Sequence, residues 1–251
     1  MNVRCLFAVM LVAAGAWGEA WPPSFAGMAP APAGSVGVGY ENGPLYTLVD
    51  RVPPLVFRLD ERSGSVLSSF TLPLPLGVRG ITYADDANQN IYVSNSLNSY
   101  IYRLTSTGSL LSSFYFPYGP PYSIGFTAGF EGHGSGVGLF VACRDSNRIY
   151  RITTGGSLVA SFAGPAASVT GYDEWFCVDD NSPNLYWDYF GNWQEIAPLP
   201  TLPYAVATGI DYIMDSGVTT YVLGRDGCLY RYTGSTAVAP MSLGRVKTLF
   251  R

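Results

Sequence analysis

Short runs in which apolar and polar residues alternate recur along this chain, each interrupted by a cluster of Thr, Ser and Gly. The run "VFRLDERSGSVLSSF" at Val56 to Phe70 returns as "IYRLTSTGSLLSSF" at Ile101 to Phe114 and as "IYRITTGGSLVASF" at Ile149 to Phe162. Alternation with a period of two predicts strands, and two such runs around a glycine-containing turn predict a β-hairpin. In the second copy Ile101 and Arg103 fall on one face, Tyr102 and Leu104 on the other, and Gly108 supplies the positive φ of the turn. Weaker copies start at Leu185 and Leu229, so hairpins recur every 36 to 48 residues. A β signal at that period marks a propeller or another β array.

The intervals carry two more strands each. "VRGITYADDANQNIYVSNS" (from Val78) and "YSIGFTAGFEGHGSGVGLFVACR" (from Tyr122) both read as strand, turn, strand; "VTGYDEWFCVDD" (from Val169) and "VATGIDYIMDSGVTTYVLGR" (from Val206) follow the same plan. Four short antiparallel strands cannot cover both faces of their own sheet, so successive sheets must stack. The expected fold is an all-β propeller of four-stranded antiparallel blades, with units at approximately 35–73, 78–117, 122–165, 168–200 and 204–244. Five blades fit the spacing. "SFAG" at Ser24 to Gly27 echoes "SFAG" at Ser161 to Gly164, so the N-terminus is expected to supply an outer strand that closes the ring. "RVKTLFR" (245–251) also alternates, and a sixth blade stitched from both ends is the alternative.

Residues 1–20 stand apart from this pattern. Arg4 precedes an apolar run from Cys5 to Trp17, followed by Gly18 and Ala20, the pattern of a signal peptide. The run is shorter than the ~20 residues a spanning helix needs. An exported protein is expected (periplasmic, cell-surface or extracellular), with a single domain over 21–251. At 48% hydrophobic and 13% charged residues the chain can bury a large core. Its net charge is −4 and Lys247 is the sole lysine, so no basic patch exists to displace counterions from a phosphate backbone; nucleic acid is excluded as a partner. A monomer is expected. Cys143, Cys177 and Cys228 show no CxxC pair and no zinc spacing; buried free thiols are the simpler expectation, one disulfide the alternative.

The "IYRLxxxGSLLSSFxxP" units, preceded by "GITYADDANQNIYVSNS", resemble the secreted bacterial β-propellers with NHL-like or YVTN-like repeats over residues 35 to 244. The resemblance implies a scaffold rather than a chemistry, because that group includes both recognition modules and enzymes.

Candidate chemistry is sparse. His133, the only histidine, lies in "GFEGHGSGVG" two residues from Glu131. A glycine-rich turn between the first and second strands of a blade is a poor place to preorganise a base, so both are weak catalytic candidates. The acidic turns at Ala84 to Asn90 and Val178 to Asn184 offer oxygen ligands, but lack the glycine and distal glutamate of a calcium loop; Asp and Asn are also what tight turns select. No metal site is assigned, and calcium remains a minor option as a cofactor. "GHGSG" is neither a nucleophile elbow nor a phosphate loop, since no helix follows.

The remaining candidates lie where the connections between blades and between second and third strands should converge, at the channel mouth. Arg79, Tyr122, Tyr172 and Tyr204 lie near the starts of inner strands, and Arg144, Asp145, Asp179, Asp180, Arg225 and Asp226 on the inner connections. Such a ring suits a sugar, peptide or small polar metabolite. The expected function is an exported, non-catalytic binding module for a protein, peptide or glycan. One alternative is a propeller enzyme of lyase or glutaminyl-cyclase-like activity. The "FRLDERSGSVLSSF" phrase and "GFEGHG" are similar to those of secreted glutaminyl cyclases, which implies Glu131 as acid/base. The other alternative is a structural envelope scaffold.

Overall fold

The computed structural model describes residues 24–40, 44–84, 89–127, 137–163, 168–171, 175–178, 184–189, 192–198, 212–214, 218–224 and 226–234. All regular structure there is β. The chain opens with β1 (Ser24–Pro30). Four sheets then follow, each drawn from one continuous run and ordered as in sequence. The first holds β2 (Ser35–Tyr40), β3 (Pro44–Val49), β4 (Leu55–Asp60) and β5 (Val66–Thr71); the second holds β6 (Val78–Ala84), β7 (Asn90–Asn95), β8 (Tyr100–Thr105) and β9 (Leu110–Tyr115). The third comprises β10 (Ser123–Thr127), β11 (Gly138–Cys143), β12 (Arg148–Thr153) and β13 (Leu158–Ala163), and the fourth β14 (Ser168–Gly171), β15 (Trp175–Val178), β16 (Asn184–Tyr189) and β17 (Asn192–Pro198). A further sheet is composite: β18 (Tyr212–Met214), β19 (Val218–Leu223) and β20 (Cys228–Gly234) are completed by β1, which pairs antiparallel with β20. The fold is a β-propeller of four-stranded antiparallel blades, and the N-terminal strand takes the outer place its "SFAG" echo predicts. Residues 245–251 lie outside the described residues, and β1 is committed to this sheet rather than to a sixth.

Inner strands touch in turn, β2 against β6, β6 against β10 and β10 against β14, while β19 reaches β2. The faces between neighbouring blades are the core. Tyr46, Leu48 and Val56 of the first blade meet Ile91, Val93, Tyr102 and Leu104 of the second, whose opposite face sets Tyr92 and Ile101 against Ile124, Leu139, Val141 and Ile152 of the third. Behind the first blade, Val38, Leu45 and Leu59 meet Tyr221, Leu223 and Leu229. Full burial of each large side chain contributes about 1.5–3 kcal/mol, so blades hold one another rather than themselves. Among described residues, no helix is long and apolar enough to cross a membrane.

A second repeated pair runs through these faces. Register places Tyr46 opposite Arg58, Tyr92 opposite Arg103, Phe140 opposite Arg151 and Tyr221 opposite Arg231. The Arg58 guanidinium carbon lies 5.7 Å from the centroid of the Tyr46 ring. With its amide oxygen turned toward the guanidinium, Asn90 accepts from Arg103 Nη2 at 2.7 Å. Arg58, against an aromatic ring, and Arg103, hydrogen-bonded to Asn90, thus serve as between-blade spacers.

The recurring "GSLLSSF" has a steric cause. Gly108 (φ +89°) and Gly156 (φ +93°) lie on hairpin turns in which Gly108 donates to Thr105 O and Gly156 to Thr153 O, both at 2.9 Å. A Cβ at Gly108 would fall 2.5 Å from the Phe70 ring of the preceding blade, and one at Gly156 2.5 Å from Phe114. Phe70 and Phe114 thus each cover the turn glycine of the next blade. Gly64 of the first blade finds Ala29 of β1 in that place, with its Cβ position 2.5 Å from Ala29 Cβ. Ala29 pairs with Leu229 just as Phe70 pairs with Val56 and Phe114 with Ile101, so β1 acts as the outer strand preceding the first blade.

Gly108→Ala should therefore meet both a left-handed backbone and the Phe70 ring. The expected loss is at least about 1–2 kcal/mol, the cost of the left-handed conformation alone. Urea denaturation checks it; a loss below about 0.5 kcal/mol would contradict the interlock.

Candidate functional site

One end of the barrel of blades is built by the connections that lead into inner strands and those that follow the second strands. Asp50, the residue after β3, bridges two blades. Its Oδ1 accepts the Gly77 N–H at 2.8 Å, and its Oδ2 lies 3.5 Å from Arg79 Nη1. Side-chain exposures of 32% for Arg79 and 16% for Asp50 leave the guanidinium the more accessible partner. In the second blade Asn95 serves the same connection: its Nδ2 donates to Leu76 O at 2.9 Å, while its Oδ1 accepts from the Leu97 N–H at 3.0 Å. The start of β6 is thereby tied down by a carboxylate from the first blade and an amide from its own.

Tyr122 stands two residues before Ile124, as Arg79 stands two before Ile81; Ile124 and Ile81 pair with Val141 and Val93 in matching places. Tyr122 is fixed through its N–H, which donates to Ala142 O at 2.9 Å. The exposed Arg144 places its guanidinium carbon 5.8 Å from the Tyr122 ring centroid, and Asp145 is exposed on the same turn. The structure so brings Arg79, Tyr122, Arg144 and Asp145 to matching connections at one end. It also shows that Arg79 and Tyr122 already have partners. Asp50, absent from the sequence-derived set, is the missed member; its signal was an acidic residue at the end of a second strand, the place Asp145 and Asp226 approach in other repeats.

Asp226 is occupied with local structure. Burial raises its pKa, but hydrogen bonds from the Tyr230 hydroxyl, at 2.5 Å, and from the Cys228 N–H outweigh that and leave it below the usual carboxylate range. The candidates Tyr172, Asp179, Asp180, Tyr204, Arg225, Glu131 and His133 lie outside the described residues. Among the described residues no three His, Cys, Asp or Glu side chains gather in a metal-binding group.

Cys143 and Cys228 are free thiols. Cys143 ends β11 beside the Tyr122–Arg144 pair, and burial, with the Asp145 charge adding to it, pushes its thiol up to about 12. It is a neutral packing group. The arrangement at this end offers a half-exposed guanidinium, a second exposed one over an aromatic face, and a carboxylate. Those groups suit charge-assisted hydrogen bonding and stacking to a polar ligand.

No family model matches the chain, and no curated protein matches it. Solved structures do align. A virginiamycin B lyase from Staphylococcus aureus is 17% identical with a TM-score of 0.46, over 84% of this chain and 66% of the lyase chain, so this chain spans just under two thirds of that protein's length. A streptogramin B lyase is 18% identical with a TM-score of 0.48, over 89% of this chain and 74% of the other. A protein of unknown function from Bacteroides caccae is 13% identical with a TM-score of 0.47, over 76% and 70% respectively. No residue role or chemistry is carried across at this distance.

Asp50→Ala should cost about 1–3 kcal/mol, because it strands both the Gly77 N–H and Arg79, whereas Arg79→Ala should cost under about 1 kcal/mol. Equal losses in urea denaturation would contradict the bridging role. Cys143 should resist iodoacetamide at pH 8 in the folded protein and react once unfolded. Because its folded pKa is raised, its contribution is complete below the unfolded thiol value and is lost as pH rises toward about 12. Rapid alkylation of the native protein would overturn that.

Proposed function

We propose that this protein is an exported, non-catalytic propeller that binds a peptide, protein or glycan at its channel mouth. The observation that carries the proposal is the pairing of Arg79 with Asp50, and of Arg144 with Tyr122, on connections at one end of the blades. These pairs hold charged and aromatic groups ready for a polar ligand, and the one described thiol beside them, Cys143, is kept protonated by burial. That favours binding over turnover.

Five blades in one domain over 21–251 is the architecture proposed for the site. The sequential contacts of inner strands and the Gly64–Ala29 contact support a ring joined at β1. Cleavage of the leader near Trp21 would leave β1 whole, as closure requires. A secreted, NHL-like, monomeric module is the corresponding assignment, with calcium a secondary ligand option for the acidic turns.

A thermal-shift screen against short peptides, amino acids, saccharides and calcium tests the proposal. A ligand at ~100 times its Kd stabilises the fold by about 2.7 kcal/mol, and Arg79→Ala or Arg144→Ala should remove the shift. Conversion of N-terminal glutamine to pyroglutamate, or turnover of a lyase substrate, lost with Arg79→Ala, would replace the binding module by an enzyme.

A further inference from the structure

Register makes the outer corner of each blade directly comparable. The last residue of the outer strand faces the first residue of the third strand: Thr71 with Leu55, Ala163 with Arg148, Pro198 with Asn184 and Pro30 with Cys228. In the second blade alone both places are aromatic, Tyr115 with Tyr100. Four corners of the same fold close without an aromatic pair, so packing does not require one. The two rings are also not hidden: Tyr115 is 58% exposed and Tyr100 37%.

Their arrangement is specific. The ring centroids of Tyr100 and Tyr115 lie 5.7 Å apart with an interplanar angle of 62°, which makes an open corner of two aromatic faces. Tyr102 backs Tyr100 with centroids at 6.1 Å and an angle of 28°. Asn98 fixes this support, since its Nδ2 donates to the Tyr102 hydroxyl at 2.7 Å and its Oδ1 accepts the Tyr100 N–H at 3.0 Å. The segments that carry the corner, 94–102 and 109–118, hold no charged residue and are rich in Ser and Asn. The corner is thus rigid, amphipathic and uncharged.

We infer that the Tyr100–Tyr115 corner is a binding site for a neutral saccharide that shares no residue with the Arg79–Asp50 and Arg144–Tyr122 pairs. A sugar ring presents an apolar C–H face to an aromatic plane and hydroxyls to neighbouring hydroxyl and amide groups, the combination this surface offers. A charged glycan or an ionic peptide would find no counter-ion in the segments that form it. Tyrosine suits the task because it supplies a large contact area with little side-chain freedom to lose. The rival explanation is a cross-strand aromatic pair that serves stability alone, contributing about 0.5–1.5 kcal/mol.

Native affinity electrophoresis of the full protein in gels containing hydroxyethyl cellulose, xyloglucan, laminarin or dextran distinguishes them. The expected result is retardation by at least one of these, weakened at least tenfold by Tyr115→Thr and by the pair Tyr100→Leu with Tyr115→Thr, which install the residues the first blade carries. Tyr115→Phe should retain it, and Arg79→Ala should leave it unchanged. Equal retardation of wild type and Tyr115→Thr, or none by any of the four polysaccharides, overturns the site. Loss with Arg79→Ala but not with Tyr115→Thr would move the saccharide to the mouth, sparing the proposed function and sinking this corner.

Discussion

The contact between an outer-strand phenylalanine and the turn glycine of the next blade is the constraint from which the remaining architecture follows. A four-stranded sheet of short strands has two apolar faces and no means of covering either. Phe70 over Gly108 and Phe114 over Gly156 set where the next hairpin turns, and hence how far one blade is rotated from its neighbour. The between-blade faces then fill with Tyr, Ile, Leu and Val. The turn glycine of the first blade, Gly64, is met by Ala29 of β1, which pairs with β20, so β1 links the first blade to the composite sheet.

Because the faces are committed to packing, variation is left to the connections and the outer corners. Asp50 and Asn95 show how a connection is fixed: each uses one side chain to satisfy backbone groups of the turn leading into an inner strand. Once those backbones are held, neighbouring side chains such as Arg79, Tyr122 and Arg144 can present charge and aromatic surface in a defined direction. The Tyr100–Tyr115 corner follows the same division, a departure from the repeat at a place the fold leaves free.

Much of this was readable from the chain. Period-two alternation and recurring glycines give away the hairpins, because local sterics act within a few residues; Gly108 at φ +89° is the conformation its place in the phrase demands. The echo of "SFAG" at Ser24 pointed to an outer strand but not to its register, which sets Ala29 rather than Phe25 in the place that Phe162 holds in the third blade. The ion pair of Arg79 with Asp50 was not readable: the two are 29 residues apart, on different blades, and no local pattern links them. Tyr115 was hidden for a different reason. The repeat phrase places it after Phe114 as Thr71 and Ala163 follow Phe70 and Phe162, but only the strand register sets Tyr100 opposite it.

Hydrogen–deuterium exchange of the full protein, followed strand by strand, tests the closure on which the mouth depends. If β1 is the outer strand of the last blade, amides of Ser24–Pro30 will be protected alongside those of β20 and will lose protection together with them as urea is raised. Exchange of β1 at the rate of an open chain, while β4, β8 and β12 stay protected, would show that the ring is not closed by the N-terminus and would contradict the account.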